Sequence, residues 1–329
     1  MKKVLCAGLM VCDIPLRPVP ESIMKLDAWN IESPKPSTGG DALNVAITLT
    51  KLGANPVLSG LIGNDSNGDF VLNHLIEVGV DVRGVSRHPD EGTAVSYILI
   101  EEGGNRHFIV STALCALFRY EDIPQTLIEE VDIIYFGSAM CMEAMDRGGA
   151  AALFKKAHSL GKMTMADTAA VNPYRSSDYY LKLLDPMLKE TDIFIPSYEE
   201  ASAITGKENI SGIRDVLTSY GFTLLIVKLG AKGCYVTDFK REWTIPTFTD
   251  FKPVDTTGAG DSFTGGFIRG LLAGWSAETA AVFANAVASF NVTKVGATGG
   301  VPDFDTVYAY VTEHAGGVER FPLPITPEG

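Results

Sequence analysis

The sequence has no run of Lys or Arg that could track a phosphate backbone, no CxxC pair, and no apolar stretch near the ~20 residues that cross a bilayer. With 40 acidic residues against 27 basic and a net charge of -13, it lacks the electrostatic footprint of a nucleic-acid binder. An anionic ligand must be held by local dipoles, a few basic side chains or a metal. The cysteines, Cys6, Cys12, Cys115, Cys141 and Cys234, are scattered and odd in number, which argues against a disulfide framework or a zinc site. They read as reduced intracellular thiols. Met1-Lys-Lys and the apolar run from Val4 to Cys12 imitate a secretory signal, but the run stops at Asp13 and Pro15 and has no small residue just before Cys12. It reads as the buried first strand of a cytoplasmic protein that engages neither nucleic acid nor membrane.

What is present is a globular balance, with 46% hydrophobic and 20% charged residues in a chain of 329. The runs "KVLCAGL" (3–9), "NPVLSGLIG" (55–63), "VDIIYFGS" (131–138), "KMTMAD" (162–167), "DIFIPS" (192–197) and "TLLIVKLG" (223–230) are apolar throughout, as in strands buried on both faces. Amphipathic segments near 41–53, 67–79, 144–160, 179–190 and 210–220 alternate with them. This alternation predicts an α/β fold, a three-layer αβα sandwich around a mostly parallel sheet. Two segments break the rhythm: 14–37, with five prolines, and 93–112, a hairpin pattern turning at Glu102-Gly103-Gly104-Asn105. Together they suggest a small β lid, hinged near Gly92, over a main domain of residues 1–13, 38–92 and 113–329. An ordinary edge hairpin and a surface loop fit the same residues. The proline-rich end "FPLPITPEG" reads as loosely docked or frayed.

The stretch "DTTGAGD" (255–261) carries the strongest chemical signal. Phe263, Phe267, Ile268, Leu271 and Leu272 follow at helical spacing, so Gly258, Ala259 and Gly260 lie at a helix N-terminus, where free N–H groups and the helix dipole suit a phosphate. A P-loop would need a Lys after the glycines, and a dinucleotide fingerprint a third Gly where Phe263 stands. Asp261 could simply complement the helix dipole. A carboxylate beside bound phosphates makes chemical sense, however, as the base that deprotonates an attacking hydroxyl.

With those residues in view, "DTTGAGDSFTGGF" (255–267) resembles the C-terminal signature of the ribokinase-like, or PfkB, carbohydrate kinases. "GGDALNVAITLTKLG" (39–53) resembles their N-terminal one, and the two lie more than 200 residues apart in the family's order. The resemblance implies the ribokinase-like fold with a β lid over the sugar. It also implies sugar contacts from Asp13, Gly39, Gly40 and Asn44, although Asp13 could equally serve a turn and Asn44 a helix cap. Asp41 reads as the N-cap of that first helix. "FIPSYEEASAITG" (194–206) resembles the Asn-x-x-Glu segment that organises Mg2+ through water, with Glu200 retained and Ser197 in place of the Asn. "VKLGAKGCYV" (227–236) resembles the nucleotide-contacting strand and turn, matching Lys228, Gly230 and Gly233, and Asn285 matches the helix closing the adenine pocket. Asp255, Thr257, Asn291 and Gly296 match positions around a monovalent cation, K+ in many members.

The implied activity is an ATP- and Mg2+-dependent kinase acting on a primary hydroxyl, with Asp261 as base. Asp41 in the Gly-Gly turn puts D-ribose in doubt, and the acidic surroundings favour a neutral sugar unless Arg106 on the lid reaches an anionic one. A nucleoside is the nearest alternative substrate. A catalytically silent binding protein on the same fold is a rival prompted by Ser197, and a nicotinamide oxidoreductase fails for want of the glycine fingerprint. Exposed lid strands invite edge pairing and hence a homodimer.

Overall fold

The structure, a computed structural model, describes residues 2–103, 105–169 and 171–314. The proline-rich end and Gly104 of the hairpin turn lie outside the described residues.

The chain opens with strands β1 (Val4–Ala7), β2 (Val11–Leu16) and β3 (Ser37–Gly39), then helix α1 (Asp41–Lys51), β4 (Val57–Gly63), α2 (Ser66–Val78) and β5 (Asp81–His88). A hairpin of β6 (Val95–Ile100) and β7 (Arg106–Ser111) leads to α3 (Ala113–Leu117), α4 (Gln125–Glu130), β8 (Ile133–Ala139), α5 (Ala150–Ser159) and β9 (Met163–Thr168). There follow α6 (Ser177–Leu188), β10 (Ile193–Phe194), α7 (Tyr198–Thr205), α8 (Ile210–Leu217), β11 (Leu224–Lys228), β12 (Cys234–Thr237) and β13 (Glu242–Ile245). Helices α9 (Ala259–Leu272), α10 (Ala277–Asn291) and α11 (Phe304–His314) complete the described chain.

Nine strands form the main sheet in the order β13-β12-β11-β10-β9-β8-β1-β4-β5. Every pairing from β11 to β5 is parallel, and β12 and β13 are added antiparallel at one edge. The expected sandwich is borne out. One face packs Leu43 and Ile47 of α1 with Phe263 and Phe267 of α9, and the other packs Phe118, Phe154 and Leu184. The helical pattern expected over 144–160 is interrupted at Arg147 and Gly148, whose φ of 128° no helix accommodates, and α5 begins only at Ala150.

A second sheet has the order β3-β2-β6-β7. Its hairpin pairs Val95 with Ser111 through to Ile100 with Arg106. Strand β2 begins at Val11, so Asp13 sits on this smaller sheet, while between Pro18 and Pro36 there is a single short helical turn at Ile23–Lys25 and no strand. Beside the expected hinge, Thr93 is fixed by Asp65, which accepts from both its N–H (2.8 Å) and its hydroxyl (2.7 Å). No helix among the described residues is long and apolar enough to cross a membrane.

Candidate active site

Both glycines of the GAG turn lie at the start of α9, but they answer different needs. Gly258 is the N-cap with φ 70°, and a Cβ there would overlap the Ala297 carbonyl, so the fold itself requires glycine. A Cβ on Gly260 would meet nothing closer than Lys228 Nζ at 3.6 Å. The space it leaves lies above a helix N-terminus, where an anion is favoured. Among the described residues the N–H groups of Gly258 and Gly260 have no acceptor, while Ala259 N–H turns back to the Thr256 carbonyl at 3.2 Å.

Asp261 follows on the first turn. Its Oδ2 accepts from Asn44 Nδ2 at 2.7 Å, across 217 residues of sequence. The approach is possible because α1 and α9 pack backbone to side chain: a Cβ on Gly265 would crowd Thr48, and one on Gly266 would crowd Ala284 of α10. Burial pushes the Asp261 carboxyl up to about 6; Asn44 and Lys228 oppose the rise, and Asp167 and Glu200 add to it. Lys228, at the end of β11, donates to Asp167 Oδ2 at 2.6 Å, and Thr264 one turn along α9 donates to the same oxygen at 3.0 Å. Burial disfavours the Lys228 charge, but Asp167 and Glu200 outweigh it and its pKa is raised.

Acidic groups dominate the opposite side. Asp13 of β2 has a carboxyl pushed up to about 6 by burial, against a hydrogen bond from Ser96. Gly39 lies against that carboxylate so closely that any Cβ would strike it. Asp41 is not the N-cap: Gly40, with φ 99°, occupies that place, and Asp41 is the first helical residue, with its carboxylate on the cavity wall. Gly40 can hold that conformation, and the loop can run against Leu9, only because it has no side chain. Burial, then the charges of Asp261 and Asp167, push the Asp41 carboxyl well above the usual range, and its Oδ2 is buried without a partner, as is Asn44 Oδ1. Arg106 is absent from this wall; its Nη1 donates to Asp255 Oδ1 at 2.9 Å and to Thr257 Oγ1 at 2.7 Å.

Ser197 and Glu200 form a capping box at the start of α7: Ser197 N–H donates to Glu200 Oε2 at 2.7 Å, and Glu200 N–H to Ser197 Oγ at 3.3 Å. Thr168 Oγ1 donates to the same Glu200 oxygen at 2.9 Å. Burial raises the Glu200 carboxyl, with Lys228 opposing. Gly230 and Gly233 flank the turn after β11 on the cavity wall, and Asn285 of α10 donates to the Ile245 carbonyl at 3.1 Å and the Pro246 carbonyl at 3.3 Å. Asp255 accepts from Thr257 N–H (2.9 Å) and Gly296 N–H (3.0 Å), and Asn291 Nδ2 donates to the carbonyls of Thr257 (3.1 Å) and Ala297 (2.9 Å).

Of these groups, Asp13, Asp41, Glu200, Lys228, Gly260, Asp261 and Asn285 border one cavity of about 1080 Å3, at the upper end of single-ligand pockets and large enough for two substrates side by side, whereas Asp255, Thr257 and Asn291 do not line it. It runs from the hairpin side chains Phe108 and Val110, past Asp13, Asp41, Asp261 and Gly260, to Phe248 and Val292. The pfkB family carbohydrate kinase pattern matches residues 1–303. The chain belongs to the pfkB family of carbohydrate kinases. As a member it is an ATP-dependent sugar kinase. This pfkB kinase is 30% identical over 269 residues to a ribokinase of Bacillus subtilis, covering 80% of this chain and 84% of that one. It is 29% identical to an ATP-dependent ribose-1-phosphate kinase of Halopiger xanaduensis, covering 95% and 99%. A fructokinase with bound ATP from Xylella fastidiosa has the same fold, with a TM-score of 0.82 at 21% identity over 95% of this chain and 99% of that one.

Sequence reasoning missed Asp167, Thr168 and Thr264. A signal was available for the first: Asp167 closes the apolar run "KMTMAD", and in an open parallel sheet ligands bind outside the carboxyl ends of the strands.

Proposed function

We propose that this pfkB kinase transfers the γ-phosphoryl group of ATP to a primary hydroxyl of a neutral sugar or sugar derivative, with Asp261 as general base. The observation that carries the reading is Asp261 itself, one residue beyond Gly260 on the wall of a shared cavity, held by Asn44 and with its carboxyl pushed up to about 6 by burial. A base with such a pKa is largely ionised at pH 7 yet still accepts a proton. In this mechanism Asp261 takes the hydroxyl proton as the oxygen bonds to the γ-phosphorus, and the bond to the β–γ bridging oxygen breaks to release ADP. The N–H groups of Gly258 and Gly260 and the Lys228 ammonium receive the charge that develops on the moving group.

Asp41, Glu200 and Asp261 all have carboxyls raised above their usual range in one crowded region, an environment that a dication arriving with the phosphates relieves. Glu200 would hold Mg2+ through water, and the ion would neutralise phosphate charge. The hairpin residues Phe108 and Val110 exclude water from the transfer.

The charge of the wall decides the acceptor. Lys228 is the one basic residue lining the cavity among the described residues, and Asp167 already pairs with it. Asp13 and Asp41 therefore suit neutral hydroxyls and disfavour a sugar phosphate. The apolar hairpin face supports a nucleoside as the second reading. A product assay with ATP, Mg2+ and a panel of neutral sugars, nucleosides and sugar phosphates tests the proposal: turnover confined to sugar phosphates would refute it.

A further inference from the structure

We propose that the Arg106 guanidinium, carried by the hairpin, takes the place of a monovalent cation beside the anion hole, so that nucleotide binding needs no such ion. This rests on the kinase reading above only in taking Gly258 and Gly260 as the phosphate site. Arg106 is the first residue of β7, and its Nη1 bridges Asp255 Oδ1 and Thr257 Oγ1, both in the loop that leads directly into Gly258. Asp255 is 5% exposed, so its charge requires a partner.

A bound alkali ion would need a shell of oxygen atoms facing one point. The residues matched to such a site do not present one. Asp255 Oδ1 receives Arg106 and Thr257 N–H, and Oδ2 receives Gly296 N–H, so Gly296 meets the carboxylate with its N–H. The carbonyls of Thr257 and Ala297 receive the Asn291 amide, whose own oxygen accepts from Gly300 N–H at 3.3 Å. The site is filled by N–H donors of the chain, and its positive charge is the Arg106 guanidinium.

The source of that charge matters as much as its sign. Arg106 sits on the strand whose Phe108 and Val110 line the cavity, so seating the hairpin over the acceptor and neutralising Asp255 beside the phosphates are a single event. Without Arg106, a buried carboxylate next to the anion hole would repel ATP, and Thr257 Oγ1 and Asp255 Oδ1, the latter still holding the Thr257 N–H, would lack their charged donor and be open to an ion. Arg106 is thus a positioning residue.

Isothermal titration of the full chain with ATP and Mg2+, in KCl and in choline chloride at matched ionic strength, tests this without an acceptor. Wild type should bind within about two-fold in the two salts. Arg106→Ala should bind at least ~10-fold more weakly in choline, the penalty of an unpaired buried charge, and should recover most of that loss in KCl. Arg106→Lys, which keeps the charge, should stay close to wild type in both. Wild-type binding that is ~10-fold stronger in KCl, or an Arg106→Ala loss that KCl leaves untouched, would overturn the proposal. Unchanged ATP binding with no phosphorylated product from any acceptor would instead refute the assigned chemistry and leave this inference standing.

Discussion

Asp261→Asn should separate catalysis from folding. The substitution keeps the shape and an acceptor oxygen for Asn44 Nδ2, which lies 2.7 Å from Oδ2, so the α1–α9 contact survives. What is lost is the base, and turnover should fall by at least ~100-fold, the low end for removing one. Stability should move the other way. The carboxyl is raised from 3.8 to about 6, which at ~1.4 kcal/mol per pKa unit sets a ceiling of roughly 3 kcal/mol on what the ionised group costs the fold. The side chain is partly open to the cavity and shares its field with Lys228, so ~1 kcal/mol is the expected gain at pH 7, and Tm should rise by roughly 1–3 °C. A carboxyl raised in the folded state costs nothing below its unfolded value of 3.8 and costs stability as pH climbs from there through its folded value of about 6. The difference between the two proteins should therefore vanish below about pH 4 and reach its full size above about pH 6. Steady-state kinetics and scanning calorimetry across that range provide the check. Near-normal turnover would remove Asp261 as base, and lost turnover with a lower Tm would show that the residue acts through the fold.

Wild-type kcat/KM should rise with pH through about 6 as Asp261 ionises and level off above it, and a profile flat from pH 5 to 8 would contradict the assignment. Gly258→Ala should destabilise by ~1–3 kcal/mol, since a φ of 70° and the Ala297 carbonyl leave no room, whereas Gly260→Ala should melt like wild type and lose at least ~10-fold in turnover, because its Cβ projects into the phosphate space. Calorimetry beside kinetics separates those two variants. Asp41→Asn removes a buried carboxylate with an unpaired oxygen, so it should stabilise the protein and narrow the preference for a neutral sugar over its phosphate, measured as a ratio of kcat/KM.

What was legible in the sequence was local. The GAG turn and Asp261 sit within seven residues, and the glycine spacing at a helix start states its purpose without reference to the rest of the chain. Strands such as β4 and β8, buried on both faces, announce themselves as apolar runs, whereas β5, β12 and β13 do not: β5 is half-exposed at an edge, and the other two are four residues each. The partners that set the site's electrostatics were out of reach. Asp167 meets Lys228 across 61 residues and Thr264 across 97, and no single-residue pattern encodes such pairings. Arg106 shows the same limit from another side. Its basic charge on the hairpin suggested a reach toward the acceptor, yet the nearest buried carboxylate is Asp255, and the guanidinium lies there.

Transfer of a phosphoryl group from ATP to a primary hydroxyl of a neutral sugar is read most directly from the phosphorus spectrum of the product. With ATP, Mg2+ and the sugars of the panel, the proton-coupled 31P resonance should be a phosphomonoester coupled to both protons of a CH2 group, accompanied by one ADP per ester formed. A doublet from a secondary or anomeric position, or an ester that appears only when the acceptor already carries a phosphate, would contradict it.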